Sequence, residues 1–155
     1  MAGAVYKFLL PLFFICVLSE TWGQTYDTRH SIGINAGVTT GVGLSYIYWP
    51  NKGGFQLSFL PLYDKKNTNI SLGATFLYKL REVNANYNFF LFAGNHYTNF
   101  TSSTNSYFYN VGIGPGIQYH KNGFAINFMI GYGILNIPND VASRPTVELG
   151  GYYQF

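Results

Sequence analysis

Eight segments of the chain alternate apolar residues with small or polar ones, and this alternation constrains the fold more than any other feature. The clearest segment has a large apolar side chain at every second position from Phe124 to Ile134. Successive side chains of a strand point to opposite faces, so each segment is predicted to be a strand with one apolar face. The predicted strands are residues 31–38, 42–49, 54–63, 70–80, 86–95, 106–119, 124–135 and 146–155, the last ending on Phe155.

An even number of short strands joined by turns predicts an all-β fold, namely an eight-stranded antiparallel up-and-down barrel. In the first hairpin, we expect Val38 to pair with Val42, which leaves Thr39, Thr40 and Gly41 as the loop. The register of the fifth strand stays open, because Phe90 and Phe92 make both of its faces apolar.

The N-terminal segment has the layout of an export signal. Lys7 precedes an apolar run from Phe8 to Leu18, and small or polar residues follow as far as Gly23. The run is shorter than the roughly 20 residues that a spanning helix needs. We therefore predict a signal peptide at residues 1–23 and a barrel domain at residues 24–155. Cys16, the single cysteine, lies within the signal, so the mature chain has no disulfide.

The placement of charge predicts which face of the barrel meets lipid. Charged residues make up 10% of the chain, against roughly 25% in soluble domains. Most of them fall in predicted turns, and the less apolar face of the strands is mainly Gly, Ser, Asn, Thr and Gln. Lys79 and Glu148 lie on that face, either paired across the lumen or apart. A soluble barrel would place charges on its outward face, so the pattern favours a membrane barrel with a polar lumen.

Aromatic residues and loop lengths predict the orientation. Seven aromatics fall near one end of the strands and four near the other, as two interfacial girdles would: Tyr46, Tyr48, Tyr78, Tyr87, Tyr119, Tyr153 and Phe155, then Tyr63, Tyr107, Tyr109 and Tyr132. The short connections Pro50–Gly53, Arg81–Ala85 and His120–Gly123 are predicted to be periplasmic. The longer ones, Asp64–Asn69, His96–Asn105 and Asn136–Pro145, are predicted to lie outside, which makes both chain ends periplasmic.

The mature chain resembles the small eight-stranded outer-membrane β-barrel proteins of Gram-negative bacteria, of the outer membrane protein beta-barrel domain family common in the Bacteroidota. The residues that carry the resemblance are Gln24 after the signal, the strand Gly112–Gly116, the segment Gly131–Gly133 and the terminal Tyr153–Phe155. The resemblance implies assembly by the barrel-assembly machinery, which reads a C-terminal strand ending in an aromatic residue. It does not give a role, since such barrels include adhesins and lipid-modifying enzymes.

Few residues suggest chemistry. The three histidines, His30, His96 and His120, fall at strand edges or in loops. A lipid-modifying enzyme would place a histidine beside a serine and a carboxylate, and His96, Ser102, Ser103 and Asp140 are candidates in predicted outer loops. Their spacing matches no acyltransferase or deacylase pattern, so we expect solvated loop residues and no catalytic, cofactor-binding or metal site. The mature chain has no run of basic residues, so the sequence does not predict nucleic-acid binding.

The sequence therefore predicts a monomeric, non-enzymatic outer-membrane barrel with a structural, adhesive or surface-binding role in its outer loops. Its expected partners are outer-membrane lipids and the assembly machinery, with no cofactor. Two alternatives stay open: a lipid A-modifying enzyme that uses a His/Ser pair at the rim, and a secreted, lipocalin-like carrier of an apolar ligand. The glycines of the inward face, such as Gly112, are interpreted as relieving crowding in a narrow lumen.

Overall fold

The computed structural model describes residues 29–63, 68–101 and 105–155, which form a closed antiparallel barrel. Its eight strands are β1 (His30–Gly37), β2 (Gly41–Tyr48), β3 (Gly53–Tyr63), β4 (Thr68–Asn84), β5 (Tyr87–Thr101), β6 (Asn105–Lys121), β7 (Phe124–Ile137) and β8 (Ala142–Gln154). Within these ranges no helix has the length and apolar character to cross a bilayer. The predicted signal peptide, residues 1–23, lies outside the described residues.

Each strand pairs with its neighbours in the sequence, and β1 closes the barrel on β8. Ser31 pairs with Gln154 and Ala36 with Leu149 across that seam. The predicted fold is confirmed. We call the end that carries His30 and Phe155 the lower end, and the end that carries the β1–β2 turn the upper end.

The two faces of the wall have the predicted characters. Outward positions carry exposed apolar side chains, as in Ile126, Phe128 and Ile130 on β7. Inward positions are largely polar, and they include buried Asn35, Gln56, Gln118 and Asn127. On β5, the open register resolves with Tyr87, Phe89 and Leu91 outward and Phe90 and Phe92 inside, 0% and 1% exposed.

The lower half of the lumen is filled by a mixed core. Ile47, Trp49, Leu77, Phe90, Phe92, Ala125, Met129 and Tyr152 form its buried apolar cluster. Beside them the Gln118 amide donates to Asn127 Oδ1 at 2.9 Å, and the Asn88 amide donates to Gln118 Oε1 at 3.3 Å. These three polar side chains thus form a chain of hydrogen bonds inside the lumen.

The upper connections are shorter than the sequence predicts. β5 continues through His96 to Thr101, and β8 begins at Ala142, so the predicted loops His96–Asn105 and Asn136–Pro145 are largely strand. At the lower end, β4 runs to Asn84 and takes up most of the predicted turn Arg81–Ala85. The prediction of long upper loops is wrong, because alternation weakens where strands become polar while backbone pairing continues.

The register of the first hairpin also differs from the prediction. Ala36 pairs with Val42 and Gly37 with Gly41, so the loop consists of Val38, Thr39 and Thr40. The predicted pairing of Val38 with Val42 is wrong by two positions, although the faces remain correct. Gly41 has a φ of 89°, which favours glycine at this bend.

Aromatic side chains encircle the lower end as predicted. His30 stacks on Tyr48 with ring centroids 4.8 Å apart, Tyr87 lies 5.0 Å from Tyr119, and Phe124 lies 5.5 Å from Tyr153. At the upper end, Tyr107, Tyr109 and Tyr132 are exposed on the outer face. Both groups have the placement of interfacial girdles.

Candidate functional site

The turn between β1 and β2 folds into the barrel instead of extending above it. Thr39 and Thr40 have no exposed surface, although they lie at the tip of a hairpin. We call residues 38–40 the inward turn. It sits above the apolar core of the lower lumen, so the lumen is filled at two successive levels.

A row of glycines makes room for the inward turn. Gly94, Gly112 and Gly133 are directly paired neighbours on β5, β6 and β7. A Cβ atom on Gly112 would lie 2.7 Å from Thr39 Oγ1, one on Gly133 2.9 Å from Thr39 Cγ2, and one on Gly94 2.5 Å from the Thr39 carbonyl oxygen. These separations are too short for non-bonded atoms. The interpretation that inner glycines relieve crowding is confirmed, and the group they accommodate is Thr39.

The carboxylate of Glu148 anchors the inward turn. Glu148 lies on the inner face of β8 and is 1% exposed. It accepts hydrogen bonds from both threonine hydroxyls and from the backbone N–H of Thr39 at 3.2 Å. Hydrogen bonds to a charged acceptor are stronger than neutral ones, so this cluster fixes the turn in the lumen.

Lys79 is engaged elsewhere. Its ammonium group lies 4.9 Å from the ring centroid of Trp49, in the lower half of the barrel. Of the two arrangements expected for Lys79 and Glu148, the structure shows the one in which they bind different groups.

His96 holds the opposite side of the turn. Its Nδ1 lies 2.8 Å from the carbonyl oxygen of Val38, which also accepts a hydrogen bond from the Asn110 amide at 2.9 Å. Because a carbonyl only accepts, Nδ1 carries the proton, and in a neutral ring Nε2 is an acceptor. Ser71 Oγ and Thr98 Oγ1 lie 2.8 and 2.9 Å from Nε2.

The placement of His96 corrects the sequence prediction. His96 is a buried residue of β5, 6% exposed, and not an outer-loop residue. Of its predicted companions, Asp140 does not join it, because it is exposed in the β7–β8 turn; Ser102 and Ser103 lie outside the described residues. The companions found are Ser71 and Thr98. The signal for this was present, because Asn88, Phe90, Phe92, Gly94, His96 and Thr98 continue one alternating series.

The other two histidines lie at the lower end of the barrel. His30 Nδ1 is 2.6 Å from the Tyr46 hydroxyl, and its ring packs among the girdle aromatics. His120 Nδ1 lies 3.5 Å from the Asn88 amide nitrogen. In the three described ranges, no three His, Cys, Asp or Glu residues lie together as a metal ion would require.

A cavity of about 640 Å³ opens above the inward turn. His96, Ser71, Thr98, Asn69 and Asn110 contribute the polar part of its lining, and the remainder is apolar or glycine: Ala36, Gly37, Val38, Val42, Leu60, Leu62, Phe100, Phe108 and Val147. Its volume is within the range of small-molecule sites, about 300–1,000 Å³. The upper lumen therefore combines a polar anchor cluster with an apolar recess.

Known proteins resemble this chain in fold but not in sequence. No family model matches it, and no curated protein matches it. The N-terminal β-barrel domain of Pseudomonas aeruginosa OprF has a TM-score of 0.57 at 14% identity, over 81% of this chain and 95% of that one. Neisserial surface protein A (NspA) has a TM-score of 0.52 at 14% identity, over 81% of this chain and 93% of that one. At these identities the likeness is one of fold alone.

Replacing Gly112 tests the fit of the inward turn. We expect Gly112→Ala to lower the free energy of unfolding, because its Cβ would overlap Thr39, and overpacking costs about 1–3 kcal/mol. Thr39→Gly in the same chain should recover part of the loss. Urea unfolding of the refolded barrel in detergent measures both. Gly151→Ala is the matched control, since a Cβ there has no atom within 4 Å. Equal effects at Gly112 and Gly151 would contradict the packing described.

A double-mutant cycle tests the anchor. Glu148→Gln removes the charged acceptor and Thr40→Val removes one donor, so their effects on unfolding should be non-additive by about 0.5–3 kcal/mol. The control cycle combines Glu148→Gln with Lys79→Met. Those two side chains bind different groups, so their effects should add within about 0.5 kcal/mol. Coupling found only in the control cycle would indicate that Glu148 interacts with Lys79 and not with Thr40.

Proposed function

We propose that this chain is an integral outer-membrane barrel with a non-enzymatic structural or surface-binding role. The observation that carries the proposal is the outward face, on which large apolar side chains are exposed on every strand. Examples are Ile34, Leu44, Leu57, Ile113 and Val147, which are 67%, 60%, 58%, 64% and 62% exposed. Monomers in water rarely expose contiguous apolar patches beyond a few hundred Å². A bilayer removes this cost, and the fold likeness to OprF and NspA supports the same location.

The inward face argues against a soluble carrier. A lipocalin-like protein needs a charged exterior and an apolar interior, whereas here Gln118, Asn127 and Glu148 are inside and the exterior is apolar. A polar lumen with an apolar belt is the arrangement of membrane barrels. The alternative of a secreted carrier therefore has little support from the distribution of side chains.

The proposed orientation places both termini in the periplasm and the upper end outside. His30 and Phe155 lie together at the lower end, where the Phe155 N–H donates to the His30 carbonyl at 2.9 Å. β8, which ends at Gln154, exposes Val147, Leu149 and Tyr153 outward, as a segment read by the barrel-assembly machinery would. The outer-membrane lipids are the proposed surroundings of a monomer.

The filled lumen supports a binding or structural role over conduction. Phe90, Phe92 and Met129 fill the lower level, and Thr39 and Thr40 fill the upper one. An eight-stranded barrel has room for side chains or one small ligand. Recognition by this protein is therefore proposed for its upper end, where the wall strands extend beyond the inward turn.

Fractionation combined with thiol labelling tests location and orientation. In a Cys16→Ser background, we expect the protein in the outer-membrane fraction, with a migration in detergent gels that changes on boiling. Asp140→Cys should react with a membrane-impermeant maleimide on intact cells, because Asp140 is exposed at the upper end. Asn51→Cys, exposed in the β2–β3 turn, should react only after the outer membrane is permeabilised.

The outcomes separate the parts of this proposal. Recovery as a soluble periplasmic protein would remove the membrane location. Membrane recovery with labelling of Asn51→Cys alone on intact cells would keep the location and reverse the orientation. The internal control is boiled, unfolded protein, in which both cysteine variants should be labelled. If neither is labelled there, the reagent has failed.

A lipid-modifying enzyme remains the second candidate because of one contact. Ser71 Oγ lies 2.8 Å from His96 Nε2 at the edge of the apolar cavity, and an imidazole beside a hydroxyl is how nucleophiles are activated. Against it, the Ser71 hydroxyl also lies 3.2 Å from the Val42 carbonyl, and His96 is occupied in holding the inward turn. These contacts support a structural role for both residues.

An ester hydrolysis assay decides between the two candidates. Purified barrel is mixed with vesicles that contain phospholipid and lipid A, and released fatty acid is measured. We expect no release above that of vesicles alone. Release by the wild-type protein that Ser71→Ala abolishes, and that the buried control Ser58→Ala preserves, would establish the enzyme in place of the non-enzymatic role.

A further inference from the structure

The barrel wall has a gap above the β1–β2 hairpin. β1 and β2 have 8 residues each, whereas β4 to β8 have 13 to 17. β8 pairs with β1 only up to Leu149, and its residues 142–148 pair with β7 alone. β3 pairs with β2 only up to Phe59, and residues 60–63 pair with β4 alone. Between β8 and β3, the residues that the structure describes therefore leave two strands out of the upper wall, a width of about 14 Å at the usual strand spacing.

This gap opens at the depth of the lipid. Eight residues at about 3.3 Å each, tilted by about 40°, rise only about 20 Å along the barrel axis. The apolar belt of such barrels is about 25 Å tall. The lower girdle, which includes Tyr46 and Tyr48 on β2, fixes the foot of the hairpin at the lower interface. The top of the hairpin therefore ends below the upper interface.

The cavity described above lies in this gap and is continuous with the outer apolar face. Leu60 and Leu62 of β3 line one side and Val147 of β8 the other. Ala36 and Val42, at the top of the hairpin, face outward and also line the cavity. Among the described residues, the lining thus passes from the outer apolar face into the lumen without an intervening charged residue.

Inward-facing residues near the top of the lumen reverse the usual polarity. Leu60, Leu62, Phe100 and Phe108 occupy the inward series of β3, β5 and β6, where lower positions carry polar side chains or glycine apart from Phe90 and Phe92 of the lower core. The rings of Phe100 and Phe108 lie 5.9 Å apart. Apolar side chains that line an open recess at this level need an apolar occupant to exclude water.

We propose that this cavity binds one acyl chain of a membrane lipid, which enters from the bilayer through the gap between β8 and β3. The inward turn is the floor, so the chain stops at Thr39 and Thr40 and does not pass down the lumen. The cluster of His96, Ser71 and Thr98 lies beside the end of the chain. The proposal rests on the proposed membrane location. It names a lipid acyl chain as the ligand for the proposed surface-binding role.

Photo-cross-linking from within the bilayer tests the proposal. The probe is a phosphatidylcholine with a diazirine on one acyl chain, carried in dimyristoylphosphatidylcholine vesicles that contain the folded barrel. We expect adducts on inward-facing Leu62, Phe100 and Phe108, which lipid outside a closed wall cannot reach. Only barrels that shift their migration on boiling are counted, so failed insertion is distinguished from failed binding.

Filling the cavity supplies the matched variants. Leu62→Trp should reduce inward adducts by roughly tenfold, which corresponds to the loss of about two buried methylene groups. Leu57→Trp, on the same strand but 58% exposed on the outer face, should leave the inward adducts unchanged. If Leu62→Trp does not fold, Val147→Trp fills the cavity from the β8 side.

Two results would overturn the proposal. In the first, an inserted barrel carries adducts only on outward residues such as Leu57 and Ile126. In the second, a diazirine fatty acid added to the water labels the inward residues while the phospholipid probe does not. That result would show an occupant that arrives from the aqueous side, not laterally from the bilayer.

Discussion

The hydrogen bonds between the Glu148 carboxylate and the hydroxyls of Thr39 and Thr40 determine the shape of the upper lumen. They draw the first turn inside, where a hairpin tip would otherwise extend into solvent. A turn in that position requires glycine opposite it, as at Gly94, Gly112 and Gly133. A buried carboxylate is costly without partners, so the threonines stabilise Glu148 as much as Glu148 holds them. The anchor, the turn and the glycine row therefore form one interdependent unit.

The sequence predicts the wall well because each strand has only two faces. Alternation places Ile126, Phe128 and Ile130 outside and Asn127 and Met129 inside, and a slip of one residue would move the inward set to the outer face. On β5 the alternation does not decide the register, because both faces are apolar, and the structure places Phe90 in the lumen. An even number of strands makes β1 and β8 antiparallel, which allows them to pair and close the barrel as the structure shows.

The candidate site is less predictable because long-range contacts create it. Nothing local distinguishes Thr39 in a solvated tip from Thr39 in the lumen, since its partner Glu148 lies on the last strand. The polar residues around His96 predict a loop because they resemble loop composition, whereas the backbone pairing of β5 with β4 and β6 continues past it. Its true neighbours, Ser71 and Val38, come from β4 and from the inward turn. Periodicity reports which face a residue occupies, but not what lies across the lumen.

The short first hairpin links the closed lumen to the open wall. A hairpin whose tip turns inward cannot also extend upward. The inward turn that closes the lumen at Thr39 therefore also leaves the wall short between β8 and β3. If β1 and β2 were as long as β4, they would close the gap in the wall. The turn between them would then lie above the barrel and would no longer fill the lumen. The apolar residues Leu62 and Phe108 face inward at the height where the wall is missing, and they are separated from the apolar core of the lower lumen by the inward turn. Sealing and lateral access are thus two consequences of one short hairpin, and such a barrel is suited to hold an apolar group from its side and not to conduct a solute along its axis.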